Sequence, residues 1–90
     1  MIKIDNPRAR VSEVVMEPGV ERATYVRETD QIIVFLDDAK YARRDAATGE
    51  VLVRDRKAGE VLWHNKGEHA PALTNVGSTP YRALVIELFS

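Results

Sequence analysis

Tyr25 and Arg27 stand two residues apart, and in an extended segment that spacing puts both side chains on one face. A guanidinium beside a phenol can hold a carboxylate or a phosphate by charge-assisted hydrogen bonds. The competing structural role is surface cover, with Arg27 paired to Glu28 or Asp30. His69 is a candidate general base, because imidazole is the side chain suited to that role, and Tyr25 is its candidate acid partner. No pairing between the two is visible in the sequence, and a turn-stabilising or solvent-exposed His69 is the alternative. His64 and His69 are two imidazoles with Glu68 the only nearby carboxylate, so they are weak candidates for a metal. No cofactor is expected. Nothing has the pattern of a phosphate loop, a nucleophile elbow or a CxxC pair, so the residues name no reaction and catalysis stays open.

The elements that must position these groups read as strands. Ala9–Met16, ARVSEVVM, is a valine-rich strand, and Glu17-Pro18-Gly19 is a turn in which proline presets one dihedral and glycine is free to take positive φ. Glu21–Arg27 is a short strand, and Gln31–Leu36, QIIVFL, has the length and β-branched bulk of a strand buried on both faces. Lys40–Arg44 and Val51–Asp55 flank Ala46-Ala47-Thr48-Gly49 as a hairpin, with glycine where positive φ is needed. Arg43, Arg44, Arg54 and Arg56 face Asp45, Glu50 and Asp55 there, which reads as a solvated, mutually screened surface. Glu60–His64, Ala72–Val76 and Tyr81–Phe89 complete the strands, and no segment has a convincing 3.6-residue period.

Ninety residues with 13 basic and 14 acidic side chains fit one domain, 1–90, without the charge bias of a nucleic-acid or anionic-membrane partner. A chain this short buries only about 60–65% of its extended surface, so a partner subunit would help it. The absence of cysteine excludes disulfides and thiolate chemistry, and MIKIDNPRAR has neither a signal-peptide core nor a membrane-spanning run. A cytoplasmic location and no membrane partner are the default expectations. So many short strands form an all-β barrel or sandwich, which hides its edges.

Several strands are apolar on both faces. Leu84, Ile86 and Leu88 oppose Ala83, Val85 and Phe89, and Ile33 and Phe35 oppose Ile32, Val34 and Leu36. One face can fill the interior, and the other predicts a sheet-to-sheet homodimer. Trp63 and His64 point to opposite faces of their strand, and either ring could line a pocket, although Trp63 also suits a core or a dimer interface. Glu87 is costly to bury unpaired, with Arg82 or Arg27 its candidate partners; Asn75 and Gly77 serve a turn.

DNPRARV followed by EPG, then KAGEVLWH and NVGSTPYRALVIEL, resemble the small single-domain cupins over nearly the whole chain, and within that group those of β-alanine degradation. The resemblance implies a double-stranded β-helix, or jelly-roll cupin barrel. It does not fix an activity, because cupins include dioxygenases, decarboxylases, isomerases, epimerases, storage proteins and sensors. The first cupin motif places two histidines and a glutamate after a glycine; with Gly19 as that glycine, the histidine positions hold Tyr25 and Arg27. The glutamate position holds Gln31, or Ile32 at the longer spacing. Arginine repels a cation, and tyrosine and glutamine are poor ligands beside imidazole sites, so the implied metal site is degenerate. The second motif is similar to Gly59, Asn65, Gly67, His69 and Asn75, with one residue instead of two before His69 and five instead of three after it. A one-residue change in a strand flips a side chain to the other face, so the direction of His69 is open.

These readings converge on a homodimeric barrel that binds a small, anionic organic molecule through Tyr25, Arg27, Gln31, His64 and His69 without a tightly bound metal. The alternative is a cupin enzyme of dioxygenase or isomerase type, acting on a small carboxylate or sugar through His69 and Tyr25.

Overall fold

The strands of the chain are β1 (Ile2–Asp5), β2 (Ala9–Met16), β3 (Glu21–Arg22), β4 (Tyr25–Val26), β5 (Asp30–Phe35), β6 (Ala39–Arg44), β7 (Val51–Arg56), β8 (Val61–His64), β9 (His69–Ala70), β10 (Ala72–Asn75) and β11 (Tyr81–Leu88). They come from a computed structural model that describes residues 1–89; Ser90 lies outside the described residues. No helix long and apolar enough to cross a membrane is present among them.

One sheet has the order β1-β2-β11-β5-β8, a second has β3-β10-β6-β7, and β4 with β9 forms a separate two-stranded ribbon. The two longest strands, β2 and β11, pair antiparallel along their full length, from Tyr81 opposite Met16 to Leu88 opposite Ala9. Their valine, isoleucine and leucine content fits a pleated surface. Strand β6 joins β7 through the expected hairpin, where Gly49 takes a φ of 74°. The Asp45 carboxylate accepts the amides of Ala47 and Thr48 in that turn, which holds its carboxyl below the usual range. The segment expected as one strand from Glu21 to Arg27 is two: β3 pairs with β10, whereas β4 turns away to pair with β9.

Strand parity sorts the side chains. Met16, Ile33, Phe35, Ala39, Tyr41, Leu73, Tyr81 and Ala83 form the core between the sheets. The Phe35 and Tyr81 rings meet edge to face at 5.6 Å, and Tyr81 meets Tyr41 the same way at 5.7 Å, a geometry that suits aromatic quadrupoles. The opposite face of the five-stranded sheet carries Val11, Ile32, Val34, Leu84 and Ile86, together with Val61 and Trp63, which are 59% and 52% exposed. The second apolar face read from the sequence therefore lies on the outside of this chain.

Candidate functional site

Between the sheets lies a cavity of about 190 Å³. The inward positions of β2, β5, β8 and β11 give it an apolar wall of Val14, Met16, Ile33, Phe35, Leu62, Tyr81 and Val85. The opposite wall is different in kind. Arg22 and Arg43 both lie opposite Leu73 of the intervening strand, so the register points all three inward. Among the described residues, Arg27 and Arg56 complete four guanidiniums on the lining, and neither aspartate nor glutamate lines it.

Arg27 is 5% exposed. Its backbone is clamped to the turn before β9, with its amide donating to the Glu68 carbonyl and its own carbonyl accepting from the Gly67 amide, each at 2.9 Å. Gly67 can make that turn because it takes a φ of 89°. The guanidinium donates to the Gln31 amide oxygen at 2.8 Å and to the Tyr25 hydroxyl at 3.1 Å, both neutral acceptors, and its Nε is buried without a partner among the described residues. Arg22 donates to the Pro71 carbonyl at 2.6 Å and likewise leaves Nε buried and unpartnered. Both guanidiniums lie over the Tyr25 ring, at 5.0 Å for Arg22 and 5.5 Å for Arg27. Burial, reinforced by the nearby Arg27 charge, pulls the Arg22 guanidinium below its ordinary value.

His64 also faces the cavity, beside Gln31 in the β5–β8 register. Burial foremost, then the charge of Arg27, lowers its pKa, while Glu68, whose carboxylate is 3.8 Å from Nδ1, opposes the shift. Arg56 lies deeper. It donates from Nε to the Tyr41 hydroxyl, its cation sits 6.0 Å from the Phe35 ring, and it is paired with Glu60 at 3.7 Å. Burial pushes the Tyr81 hydroxyl up to about 12, so this phenol stays neutral on the cavity wall.

The structure brings Tyr25, Arg27, Gln31 and His64 together. Gln31 is 4% exposed and inward while Ile32 points out, so the shorter motif spacing is the one the backbone uses. His69 stands apart from them. In the β4–β9 pair Tyr25 is opposite Ala70 and Val26 is opposite His69, so the shortened turn turns Ala70 inward and His69 outward. His69 lines a surface depression with Arg43, Asp45 and Pro71 instead. Three further readings are corrected. Arg43 and Arg56, expected on a solvated face, line the cavity, because the strand parity of the hairpin points them inward. Arg27 pairs with neither Glu28 nor Asp30; the Asp30 carboxylate accepts the Lys66 amide. Glu87 pairs with Arg10 at 3.6 Å, its neighbour across the β2–β11 register, rather than with Arg82 or Arg27. The expected turn role of Asn75 stands: it donates to the Met16 and Thr79 carbonyls and accepts the Gly77 amide.

The residues do not fit a divalent metal. Two motif positions place a guanidinium and a phenol side by side, the third supplies an amide oxygen already bound to that guanidinium, and the inward slot of β9 is the methyl group of Ala70. A cation there would meet Arg27 across a few ångströms of low-dielectric interior. Among the described residues no three His, Asp or Glu side chains cluster in a way that could hold a metal.

Comparison with solved structures places this architecture. A cupin domain from Bordetella pertussis Tohama I aligns with a TM-score of 0.87 at 19% identity, over 100% of this chain and 91% of that one. The polyketide cyclase RemF from Streptomyces resistomycificus aligns at 0.74 with 15% identity, over 94% of this chain and 57% of that one. A cupin superfamily protein from Desulfitobacterium hafniense DCB-2 aligns at 0.72 with 16% identity, over 100% and 75%. No family model and no curated protein sequence matches the chain. At these identities the likeness shows the fold: the chain is a cupin-type double-stranded β-helix.

Proposed function

Within the cupin fold, we propose that this chain binds a small anionic organic molecule in its interior cavity, and that arginine holds it in place of a metal. One observation carries the reading: among the described residues, four guanidiniums line the cavity and no carboxylate does. Taking a charge out of water costs several kcal/mol unless it is compensated. Arg27 is buried against neutral acceptors only, and a bound anion would supply what the chain withholds. The polar side chains that would make first contact are Arg27, Arg22, Arg43 and His64, with Tyr25 and Gln31 fixing the Arg27 fork. Such a role needs no turnover. A catalytic reading through His69 and Tyr25 loses its geometry, since the two point to opposite sides of the ribbon; Tyr25 and His64 are the proton-carrying pair left at the cavity mouth.

The test is calorimetry and thermal melting in a buffer of weakly binding monovalent salt, with a panel of small carboxylates and phosphates. Saturable stabilisation by some anions and not by their neutral analogues is expected, with loss of the effect in Arg27→Gln. A panel in which neutral analogues do as well as the anions would overturn the reading. We further propose that two copies associate through the outer apolar face that carries Trp63 and Ile86, which a soluble monomer would otherwise leave in water.

A further inference from the structure

The four arginines are not equivalent, and their distribution says more about what the cavity takes. Arg22, Arg27, Arg43 and His64 gather at one end: Arg22 and Arg27 share the Tyr25 ring, Arg22 and Arg43 flank Leu73, and His64 lies beside the Gln31 that accepts from Arg27. Arg56 is at the other end and already neutralised by Glu60. Asp45 lies beside Arg43 on its outer side and Glu68 approaches His64, whereas Arg22 and Arg27 donate only to neutral acceptors among the described residues, so two interior guanidiniums are left without a carboxylate partner. Along β5 the mouth row, Gln31 beside His64, is followed by Ile33 beside Leu62 and then by Phe35. At about 3.3 Å per residue, Gln31 and Phe35 are about 13 Å apart along the strand. Everything beyond the first row on this wall is hydrocarbon or aromatic. An apolar cavity of about 150 Å³ is enough for a benzene ring, so 190 Å³ admits one ring or its aliphatic equivalent with a small charged head.

We propose that the occupant is an amphiphilic dianion: a head with two negative charges on neighbouring oxygens, a phosphomonoester or a vicinal dicarboxylate, held by Arg22, Arg27 and Arg43, and a hydrocarbon body about the size of one aromatic ring lying over Ile33 and Leu62 toward Phe35. This rests on the anion-binding reading and adds charge number and polarity to it. A monocarboxylate leaves one excess positive charge in a partly desolvated mouth, and inorganic phosphate leaves the apolar half of the cavity unfilled.

Calorimetry on the full chain near neutral pH with phenyl phosphate, phthalate, benzoate, inorganic phosphate and benzyl alcohol separates the cases. Phenyl phosphate or phthalate, or both, should bind at least tenfold more tightly than benzoate and than inorganic phosphate, and which of the two leads identifies the head chemistry. Arg22→Gln should narrow the gap between the dianions and benzoate. Benzoate binding as tightly as both dianions overturns the charge assignment and leaves the anion-binding reading intact. Inorganic phosphate binding as tightly as phenyl phosphate overturns the apolar body. Benzyl alcohol matching benzoate and the dianions, or no binding by any of the five, overturns both the dianion and the anion-binding reading beneath it.

Discussion

Replacing Arg27 with methionine separates a guanidinium kept for a ligand from one kept for the fold. The side chain is buried, donates to Gln31 and Tyr25, and leaves Nε unpartnered. Its two charge-assisted bonds contribute about 3–6 kcal/mol together. Against them stand a desolvation cost of several kcal/mol, about 1–3 kcal/mol for the orphaned Nε, and repulsion from Arg22, whose guanidinium shares the Tyr25 ring. The balance is close to zero before packing is counted. Methionine is flexible enough to fill the space and gains about 1.5–3 kcal/mol of apolar burial, while the Gln31 oxygen left without its donor takes back about 1–3. Without anions, Arg27→Met should therefore be at least as stable as the wild type, by about 1 kcal/mol, or about 4–8 °C in Tm for a domain this size. With a bound dianion at a hundred times its Kd, the wild type gains about 2.7 kcal/mol and the order reverses. Thermal melts with and without phenyl phosphate measure both halves. A structural arginine behaves oppositely, because breaking a satisfied buried charge costs about 3–5 kcal/mol. A drop in Tm of that size in anion-free buffer would refute the argument.

Protonation of His64 should oppose folding. Its folded pKa is depressed, by burial first and by Arg27 second, so the unfolded chain takes up the proton first. Stability should be full above about pH 6.5 and fall as pH drops toward the folded value, and urea titrations of His64→Gln between about pH 7.5 and 5.5 should show a flatter slope than wild type; equal slopes would assign the pH dependence elsewhere. Ile86→Arg places a charge in the outer apolar face between Val11 and Ile32. It should convert the proposed dimer to a monomer in sedimentation with anion binding unchanged, and a wild type that sediments as a monomer sinks the dimer. Gln31→Glu puts a carboxylate about 2.8 Å from the Arg27 guanidinium. It should raise Tm and weaken dianion binding by at least about tenfold, and undiminished binding would show that Arg27 is not the anion's partner.

The strands were legible and the interior was not. Ala9–Met16 and Tyr81–Leu88 announce themselves because β-branched residues run on both parities, and the Ala46–Gly49 turn because glycine is needed at positive φ. Arg43 and Arg56 were hidden because charge composition alone does not say which parity of a hairpin faces the core. Arg22 carried no signal beyond its own parity, since the break between β3 and β4 depends on partners far away in sequence. The one cue that could have found them is alternation: Tyr41, Arg43 and, across the hairpin, Leu52, Arg54 and Arg56 share a face, and Tyr41 is too apolar to leave that face wholly to water. His69 shows the reverse problem. Its residue type drew attention, and one residue missing from a turn decided its direction.

The substitutions at positions 25, 27 and 31 make sense only as a set. A lone arginine placed among metal ligands would meet imidazoles competing for protons and a glutamate ready to form an internal ion pair. That pair would be satisfied and inert, a structural link with no electrostatic demand left for a ligand. Here the neighbours of Arg27 are a phenol and an amide, which orient the guanidinium through lone pairs and leave its charge uncancelled. On the proposed reading, the difference between Gln31 and a glutamate is the difference between a cavity that calls for an anion and one that carries its own. Ala70, where strand parity would otherwise present the histidine, extends the same logic, because a methyl group competes for neither the proton nor the anion. Where the cupin resemblance implies a metal centre, the proposed reading has spread, fixed positive charge from Arg22, Arg27 and Arg43, a surface that binds rather than a point that coordinates.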